Sequence, residues 1–462
     1  MRLVAAVTAA KAAAAVSRGL RVGGGDALSG LVALQIEPRL VEEQAARLGQ
    51  GSVLITGTNG KTTTARLLRR IAETAGYLPV ANRTGSNLMR GLAAALTDAA
   101  TLGGNMKDAD RRIGVFEVDE AILPEAAAAL NPRVICFTNL FRDQLDRYGE
   151  VERVADGWRA AIARLPKSTT LVLNADDPTV ASLSLGDSEN VVFFGIDDFS
   201  QVSSAVEHAA DARWCSACEG ELQYKGVYYA HIGHWACPSC GQARPDPQVA
   251  ATKVEMKGEE ISLQVQSPAG QMEIRLPFIG LYNAYNALAA LAMATALDLP
   301  LAAAEIAAGR FTAAFGRQER LTIEGRRVQI ILAKNPAGLN QVLRAIIENG
   351  RGEHLVFFLN DGLADGRDVS WIWDVDFEML DGHVSSLLLS GTRAADLAVR
   401  LKYAGFPEPA IEEDLGVCLR RAIRGAEEGD TVFVIPTYTA MLNVRGILAR
   451  WAKRGPFWAD RR

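Results

Sequence analysis

The chain has 462 residues, enough for two to four domains with buried cores and no need of covalent staples. Hydrophobic residues make up 49% and charged residues 22%, which excludes a disordered or collagen-like chain. With 49 Lys and Arg against 54 Asp and Glu the formal charge is −5, which argues against bulk nucleic-acid binding, and six cysteines in so long a chain do not make a disulfide scaffold.

The first twenty residues, MRLVAAVTAAKAAAAVSRGL, have the outline of a secretory leader. Lys11 interrupts the apolar run, and no stretch reaches the roughly 18 residues needed to span a bilayer. The Ala-rich spacing with Arg2, Lys11 and Arg18 predicts an amphipathic helix with a basic edge, packed on the protein rather than on a membrane. The chain is expected in the cytosol. No internal repeat is evident. Residues 52–56 (SVLIT) read as a short buried strand, and 61–76 as the helix after a Gly-rich turn. Buried strands are also predicted at 113–118, 134–138, 170–173 and 191–194, with helical patterns between several of them. That alternation predicts an α/β fold with a mainly parallel sheet covered on both faces.

The alternation breaks near residue 205. Residues 211–245 are rich in Cys, Gly, Tyr and Trp, 261–265 and 272–276 flank SPAG as a hairpin, and 283–299 read as a buried helix. A second alternation begins near 328 with VQIILA, HLVFFLN, VSSLLLS and TVFVIP, which predicts a smaller α/β domain. The expected organisation is an N-terminal helical segment at 1–50, a central domain at 51–315 with an insertion at about 211–245, and a Rossmann-like C-terminal domain at 316–462.

Gly57, Thr58, Asn59, Gly60, Lys61, Thr62 and Thr63 follow the SVLIT strand and open a helix. Glycines there let backbone N–H groups converge on phosphate oxygens, and the helix N-terminus favours negative charge. Lys61 can reach β- and γ-phosphates, and the Thr62 hydroxyl can bind Mg²⁺. The strict G-x-x-x-x-G-K-[ST] pattern would put its first glycine at Ile55, so a plain strand-to-helix turn is the competing reading. Cys215-x-x-Cys218 and Cys237-x-x-Cys240 have the spacing of a four-thiolate Zn²⁺ site, closed and therefore structural; a redox dithiol pair is the alternative. His231 and His234 lie between the knuckles and read as packed rather than ligating. Cys136 and Cys418 read as inert core thiols. In NDGLADGRDVSWIWDVDFE, Asp361, Asp365 and Asp368 follow a buried strand and precede an aromatic helix. Asp368 is either that helix's cap or a functional carboxylate at a strand's carboxyl end.

GTNGKTT resembles the nucleotide loop of the Mur ligases and folylpolyglutamate synthases, which form amide bonds through an acyl phosphate. Further fragments agree in order. Glu117 in FEVDE resembles the glutamate that holds a second Mg²⁺, and TNLFRDQLDRYG resembles T-N-x-x-x-D-H-L-D-x-x-G. Asn174, Ala175, Asp176 and Asp177 resemble an N-x-D-D turn. Asn283 and Asn286 match a nucleotide-site helix, and Arg317 matches the arginine of G-R-x-E that reaches the nucleotide. The departures are Gln144 and Tyr282 where the ligases have His, and ILAKNP at 331–336 in place of D-Y-A-H-N-P. Loss of that acid and imidazole suits ammonia as the nucleophile better than an amino acid. With the four-cysteine insertion and the acidic loop, the whole chain resembles the MurT family, the ligase subunits of lipid II isoglutaminyl synthases.

The resemblance implies ATP, Mg²⁺ and Zn²⁺ as cofactors, with Lys61 and Glu117 in the catalytic set. It implies a GatD-type glutaminase subunit as partner, completed by Asp368 as the acid of a Cys–His–Asp triad across the interface. It implies lipid II, met at the inner face of the cytoplasmic membrane, as substrate, amidated at the α-carboxylate of D-Glu, and no nucleic acid. A stand-alone Mur or folylpolyglutamate-type ligase is the alternative, and a non-catalytic nucleotide-binding scaffold a third.

Overall fold

The structure, a computed structural model, describes residues 1–19, 26–82, 85–143, 151–185, 190–202, 209–311, 317–349, 353–407 and 409–452. In chain order the strands of the first half are β1 (Ser52–Thr56), β2 (Leu78–Val80), β3 (Arg112–Glu117), β4 (Val134–Phe137), β5 (Thr170–Asn174), β6 (Val191–Ile196), β7 (Gln223–Tyr229), β8 (Ile232–Ala236), β9 (Val249–Lys257), β10 (Glu260–Ser267) and β11 (Gly270–Leu276). All but β7 and β8 join one nine-stranded sheet in the order β11-β10-β9-β6-β5-β4-β1-β3-β2. Pairing is parallel from β2 to β9, and β9–β10–β11 finish it as an antiparallel meander.

Side chains of a strand alternate between faces, and each face of this sheet has its own core. Val53, Ile55, Val115, Cys136 and Val172 point to one, against helices Lys61–Thr74, Tyr282–Ala296 and Leu301–Gly309. Leu54, Phe116, Ile135, Phe137 and Leu173 point to the other, against helices Met89–Ala99, Leu123–Leu130 and Val151–Ile162. Burial on both sides explains why β1 is apolar throughout rather than alternating. The first helix, Arg2–Gly19, packs on this second face through Leu3, Ala6, Val7 and Ala10, as its spacing predicts. Helices Arg2–Gly19, Asp26–Ile36 and Leu40–Ala45 therefore share a core with the sheet. Helix Tyr282–Ala296 is buried nearly all round and runs through the first core.

The second sheet comprises β12 (Arg317–Ile323), β13 (Arg326–Ile331), β14 (Glu353–Phe358), β15 (Val384–Ser390), β16 (Ala410–Ile411) and β17 (Thr431–Pro436), in the order β12-β13-β17-β14-β15-β16. It is parallel apart from the β12–β13 hairpin. The four strands predicted in this half are β13, β14, β15 and β17. Gly316, the expected boundary, lies outside the described residues, as do Gln144 and the rest of the 144–150 block.

Two expectations need correction. The aromatic helix after Asp368 is a short 3-10 helix, Ser370–Asp374, with Val369 rather than Asp368 at its N-cap position. The cysteine insertion is separate in sequence from the 57–63 loop, and on that ground is expected to loosen on its own, but it is tied to the central core. β7 and β8 pair only with each other, yet Tyr228, Tyr229, Ala230 and Ile232 at their turn are buried in the first core. Trp235 Nε1 donates to Ala175 O at 3.0 Å and Arg244 Nε to Asp176 Oδ1 at 2.5 Å.

Candidate functional site

β1 lies between β3 and β4, so the chain reverses its lateral direction there. Open α/β sheets bind ligands at the carboxyl end of such a strand. The 57–63 loop occupies that position. Gly57 and Gly60 have φ of 129° and 90°. A Cβ on Gly57 would lie 2.2 Å from Thr138 Oγ1, and one on Gly60 2.0 Å from Asn286 Oδ1. Both glycines are thus demanded by backbone angle and by close approach. The loop is tied to the next strand's end: Thr58 N–H donates to Asn139 O (3.0 Å) and Asn59 N–H to Asn139 Oδ1 (2.9 Å). Asn283 does not face the loop itself. Its amide donates to Ile279 O (2.9 Å) and its Oδ1 accepts from Asn286 Nδ2 (3.0 Å), which fixes Asn286 against Gly60. Thr63 is half-buried in the first helical turn. Arg317 begins β12, and its side chain lies outside the described residues.

Lys61 Nζ donates to Gly57 O and to Glu120 Oε1, the latter at 2.8 Å. Burial alone would raise the Glu120 carboxyl, but the charges of Lys61 and Lys334 outweigh it and hold the group below the ordinary carboxylate range. The pair's contribution to stability is therefore complete above that range and lost as pH falls through the lowered value. Thr62 Oγ1 donates to Glu117 Oε2 at 2.9 Å, so the two oxygens proposed for Mg²⁺ already sit side by side. From the second sheet's side, Lys334 Nζ pairs with Asp143 Oδ2, and Asn335 exchanges hydrogen bonds with Asn59 at 3.1 and 3.3 Å. A small cleft beside the loop is lined by Thr58, Glu120, Leu140, Phe141, Arg142 and Asp143.

In the acidic loop the three aspartates have separate fates. Asp365 is buried and accepts from Thr439 N–H (2.8 Å), the Thr439 hydroxyl and Gly362 N–H (3.1 Å). Asp361 accepts from the Thr392 hydroxyl (2.8 Å) and Arg393 (3.3 Å). Asp368 is exposed, and its Oδ1 accepts from Ser370 N–H at 2.8 Å, which holds its carboxyl below the usual range. It tethers the 3-10 turn and still presents a carboxylate outward.

The Sγ atoms of Cys215, Cys218, Cys237 and Cys240 all lie within 4.8 Å of one another, with Cys215–Cys240 at 3.6 Å and Cys218–Cys237 at 3.5 Å. Four thiolates about 2.3 Å from a zinc ion would be about 3.8 Å apart, so the set fits a tetrahedral site. Backbone N–H groups, Cys240's first, bring the Cys237 thiol down to about 6. His231 and His234 are spent elsewhere: His231 Nδ1 accepts from Asp211 N–H (3.1 Å), and His234 Nε2 lies 2.9 Å from Ile196 O. We expect one zinc per chain purified without added metal, absent from Cys237→Ser. Because the hairpin's turn is in the main core, zinc loss should lower the unfolding midpoint of the whole central sheet, by roughly 2–4 °C per kcal/mol lost. A ribbon that loosens alone, with an unchanged midpoint by calorimetry, would contradict this.

Comparison with known proteins places this arrangement. The model of the Mur ligase middle domain matches residues 55–225, and that of the MurT ligase C-terminal region matches 332–441. The subunit MurT of lipid II isoglutaminyl synthase (glutamine-hydrolyzing) from Streptococcus pneumoniae is 33% identical over 433 residues, 93% of each chain. Its counterpart from Staphylococcus aureus strain COL is 33% identical over 448 residues, 96% of each. The chain belongs to the MurT family.

The fold agrees. A pseudomurein peptide ligase type C from Methanothermus fervidus superposes with a TM-score of 0.65 at 24% identity, over 87% of this chain and 78% of that one. MurF from Acinetobacter baumannii gives 0.66 at 16% identity, over 92% and 80%. The architecture is the Mur-ligase type, α/β with a four-cysteine insertion and a Rossmann-like C-terminal part.

In this MurT-family chain, sequence reading singled out neither Glu120 nor the Lys334–Asp143 pair as site residues. Glu120 carried a signal: it is the third acid, after Glu117 and Asp119, in a run at and just past the end of β3. Lys334 was read only as a lost histidine. The structure makes it the counter-charge of a buried acid 191 positions away. Burial raises the Asp143 carboxyl and Lys334 opposes that rise. Lys334→Met should therefore push it further up. An acid with a raised native pKa penalises the fold increasingly as pH rises above its unfolded value. The variant should lose more stability at pH 8 than near pH 4, with a further cost of up to about 3 kcal/mol appearing as pH rises, read from denaturant midpoints. A pH-independent loss would mean that Asp143 does not titrate there.

Proposed function

We propose that this chain is the ATP-dependent ligase subunit of a lipid II isoglutaminyl synthase, working at the inner face of the cytoplasmic membrane with a GatD-type glutaminase. The observation that carries the reading is the convergence of the 57–63 loop, the Thr62–Glu117 pair and Lys334–Asn335 at the carboxyl end of β1, in a chain 33% identical to MurT subunits over nearly its whole length.

The loop's N–H groups and the helix N-terminus would hold the ATP phosphates. Lys61 swings from Gly57 O and Glu120 to the transferring phosphoryl group, where its charge acts in a site largely shielded from water. Thr62 and Glu117 would hold Mg²⁺, which neutralises charge shared between the phosphates. By the family resemblance Arg317 would contact the nucleotide. The α-carboxylate of D-Glu in the stem peptide attacks the γ-phosphorus, ADP leaves, and an acyl phosphate results. Ammonia released from glutamine adds to the acyl carbon, phosphate departs, and D-isoglutamine is formed. Lys334 in place of histidine leaves no imidazole to seat an amino-acid nucleophile, which favours ammonia. Zinc would serve structure alone, since four thiolates leave no open position.

The test is a reconstitution with a small glutaminase. ADP release should depend on lipid II and on glutamine or ammonium, and the two chains should co-purify at roughly 1:1. Turnover supported by a free amino acid instead would favour a stand-alone ligase.

A further inference from the structure

The helices Arg2–Gly19 and Asp26–Ile36 form the outer layer over one face of the nine-stranded sheet. The first turns Leu3, Ala6, Val7, Ala10 and Ala14 inward. Helical periodicity then puts Val4, Thr8, Ala12 and Val16 on one outward stripe, and all four are exposed. Such a stripe on a surface helix ordinarily carries charge. Here it carries none. The second helix continues the pattern with Leu28, Leu31 and Ile36. Val16 is 59% exposed, Leu28 and Leu31 46% each, and Val4 42%. Exposed side chains of this size gathered on one layer mark a contact surface.

The charge around them selects the occupant. Among the described side chains of residues 1–36, the exposed Arg2 and the half-buried Lys11 are basic and none is acidic, in a chain whose total is −5. A second copy meeting this face across a two-fold axis would set these positive charges against each other. An anionic lipid surface is complementary in both respects. No described helix is long and apolar enough to cross a membrane, and a helix of 18 residues, about 27 Å long, suffices to lie in the interfacial plane.

We propose that the outer face of these two helices docks the protein on an anionic bilayer, with the apolar stripe among the acyl-chain ends and the basic residues at the headgroups. The inference rests on the reading of a lipid-linked substrate, for which such docking turns a three-dimensional search into a two-dimensional one.

The test is co-sedimentation of the full chain with vesicles that contain no lipid II, either pure phosphatidylcholine or with about a third phosphatidylglycerol. Binding should require the anionic lipid and weaken with salt. The pair Leu28→Glu and Leu31→Glu should weaken it at least tenfold, with an unchanged circular dichroism spectrum and melting midpoint. Arg2→Glu, which leaves the apolar stripe intact, gives a second, milder loss. Amidation of a water-soluble stem-peptide substrate should be the same in all three chains; failure of that reaction in the parent would count against the functional reading and not against the surface. Parent protein that ignores anionic vesicles, or variants that bind as well as the parent, would overturn the proposal. So would a parent dimer that the Leu28/Leu31 variant turns into a monomer without any vesicle binding, since the occupant is then a second copy.

Discussion

Lys61→Ala removes ATP turnover, with a fall of roughly 10²-fold or more in rate at saturating substrate. The loss arises where charge develops on the transferring phosphoryl group, which no other cation on the loop can reach in the same way. The structure adds a second consequence that the sequence does not show. Lys61 is the 2.8 Å partner of Glu120, whose side chain is only 8% exposed. Truncating the lysine leaves that carboxylate with Lys334 alone to offset its burial, and breaking a buried pair typically costs about 3 kcal/mol. A dead enzyme could then be an unfolded one. Glu120→Gln in the same chain separates the two, because a neutral amide tolerates burial better than a stranded charge. The double variant should regain most of the melting midpoint and none of the turnover. Recovery of turnover with the midpoint would make Lys61 a structural residue, and the assignment of the loop would fall.

What the sequence discloses here is local. The phosphate loop lies within seven consecutive residues, the cysteines form two knuckles, and the buried strands announce themselves by short apolar runs. The structure puts the loop at the start of a helix, the four thiols together and the strands in the sheets. What it adds is long-range. Asn59 meets Asn335 across 276 positions, and Lys334 meets Asp143 across 191. No pattern of spacing encodes such pairs, because they are set by how the second sheet closes over the first. The packing of the cysteine insertion into the core is hidden from the sequence for the same reason. A run of Cys, Gly and Tyr reads as an independent knuckle, whereas Tyr228 and Tyr229 are buried against Tyr285 of the central helix, with ring centroids 6.2 and 5.7 Å from it. The same helix carries Asn286 to the loop at Gly60, so the ribbon's turn and the nucleotide loop are braced by one element.

The three aspartates of the acidic loop are indistinguishable in sequence, and the structure separates them. Asp365 is consumed by the turn it closes, and Asp361 by Thr392 and Arg393. Asp368 alone of the three is exposed, so it alone is open to the proposed contact with a partner's histidine. If it orients that imidazole, Asp368→Asn should keep the loop's shape, since the amide oxygen can still accept from Ser370 N–H, yet favour the wrong tautomer. In serine-protease triads the equivalent change lowers turnover by about 10⁴-fold, and a cysteine nucleophile depends less on its orienting acid. Glutamine-driven amidation should thus fall steeply. Amidation driven by added ammonium should survive, because Lys61, Thr62 and Glu117 are untouched and no glutaminase step is required. A purely capping carboxylate predicts otherwise: a stability loss on the order of 1 kcal/mol, and the two ammonia sources rising or falling together. Measuring both rates side by side in the reconstituted complex decides between them. Equal loss from both sources would end the triad assignment for Asp368. With Asp361 and Asp365 already engaged within the chain, it would then shift the search for the orienting acid to the glutaminase itself.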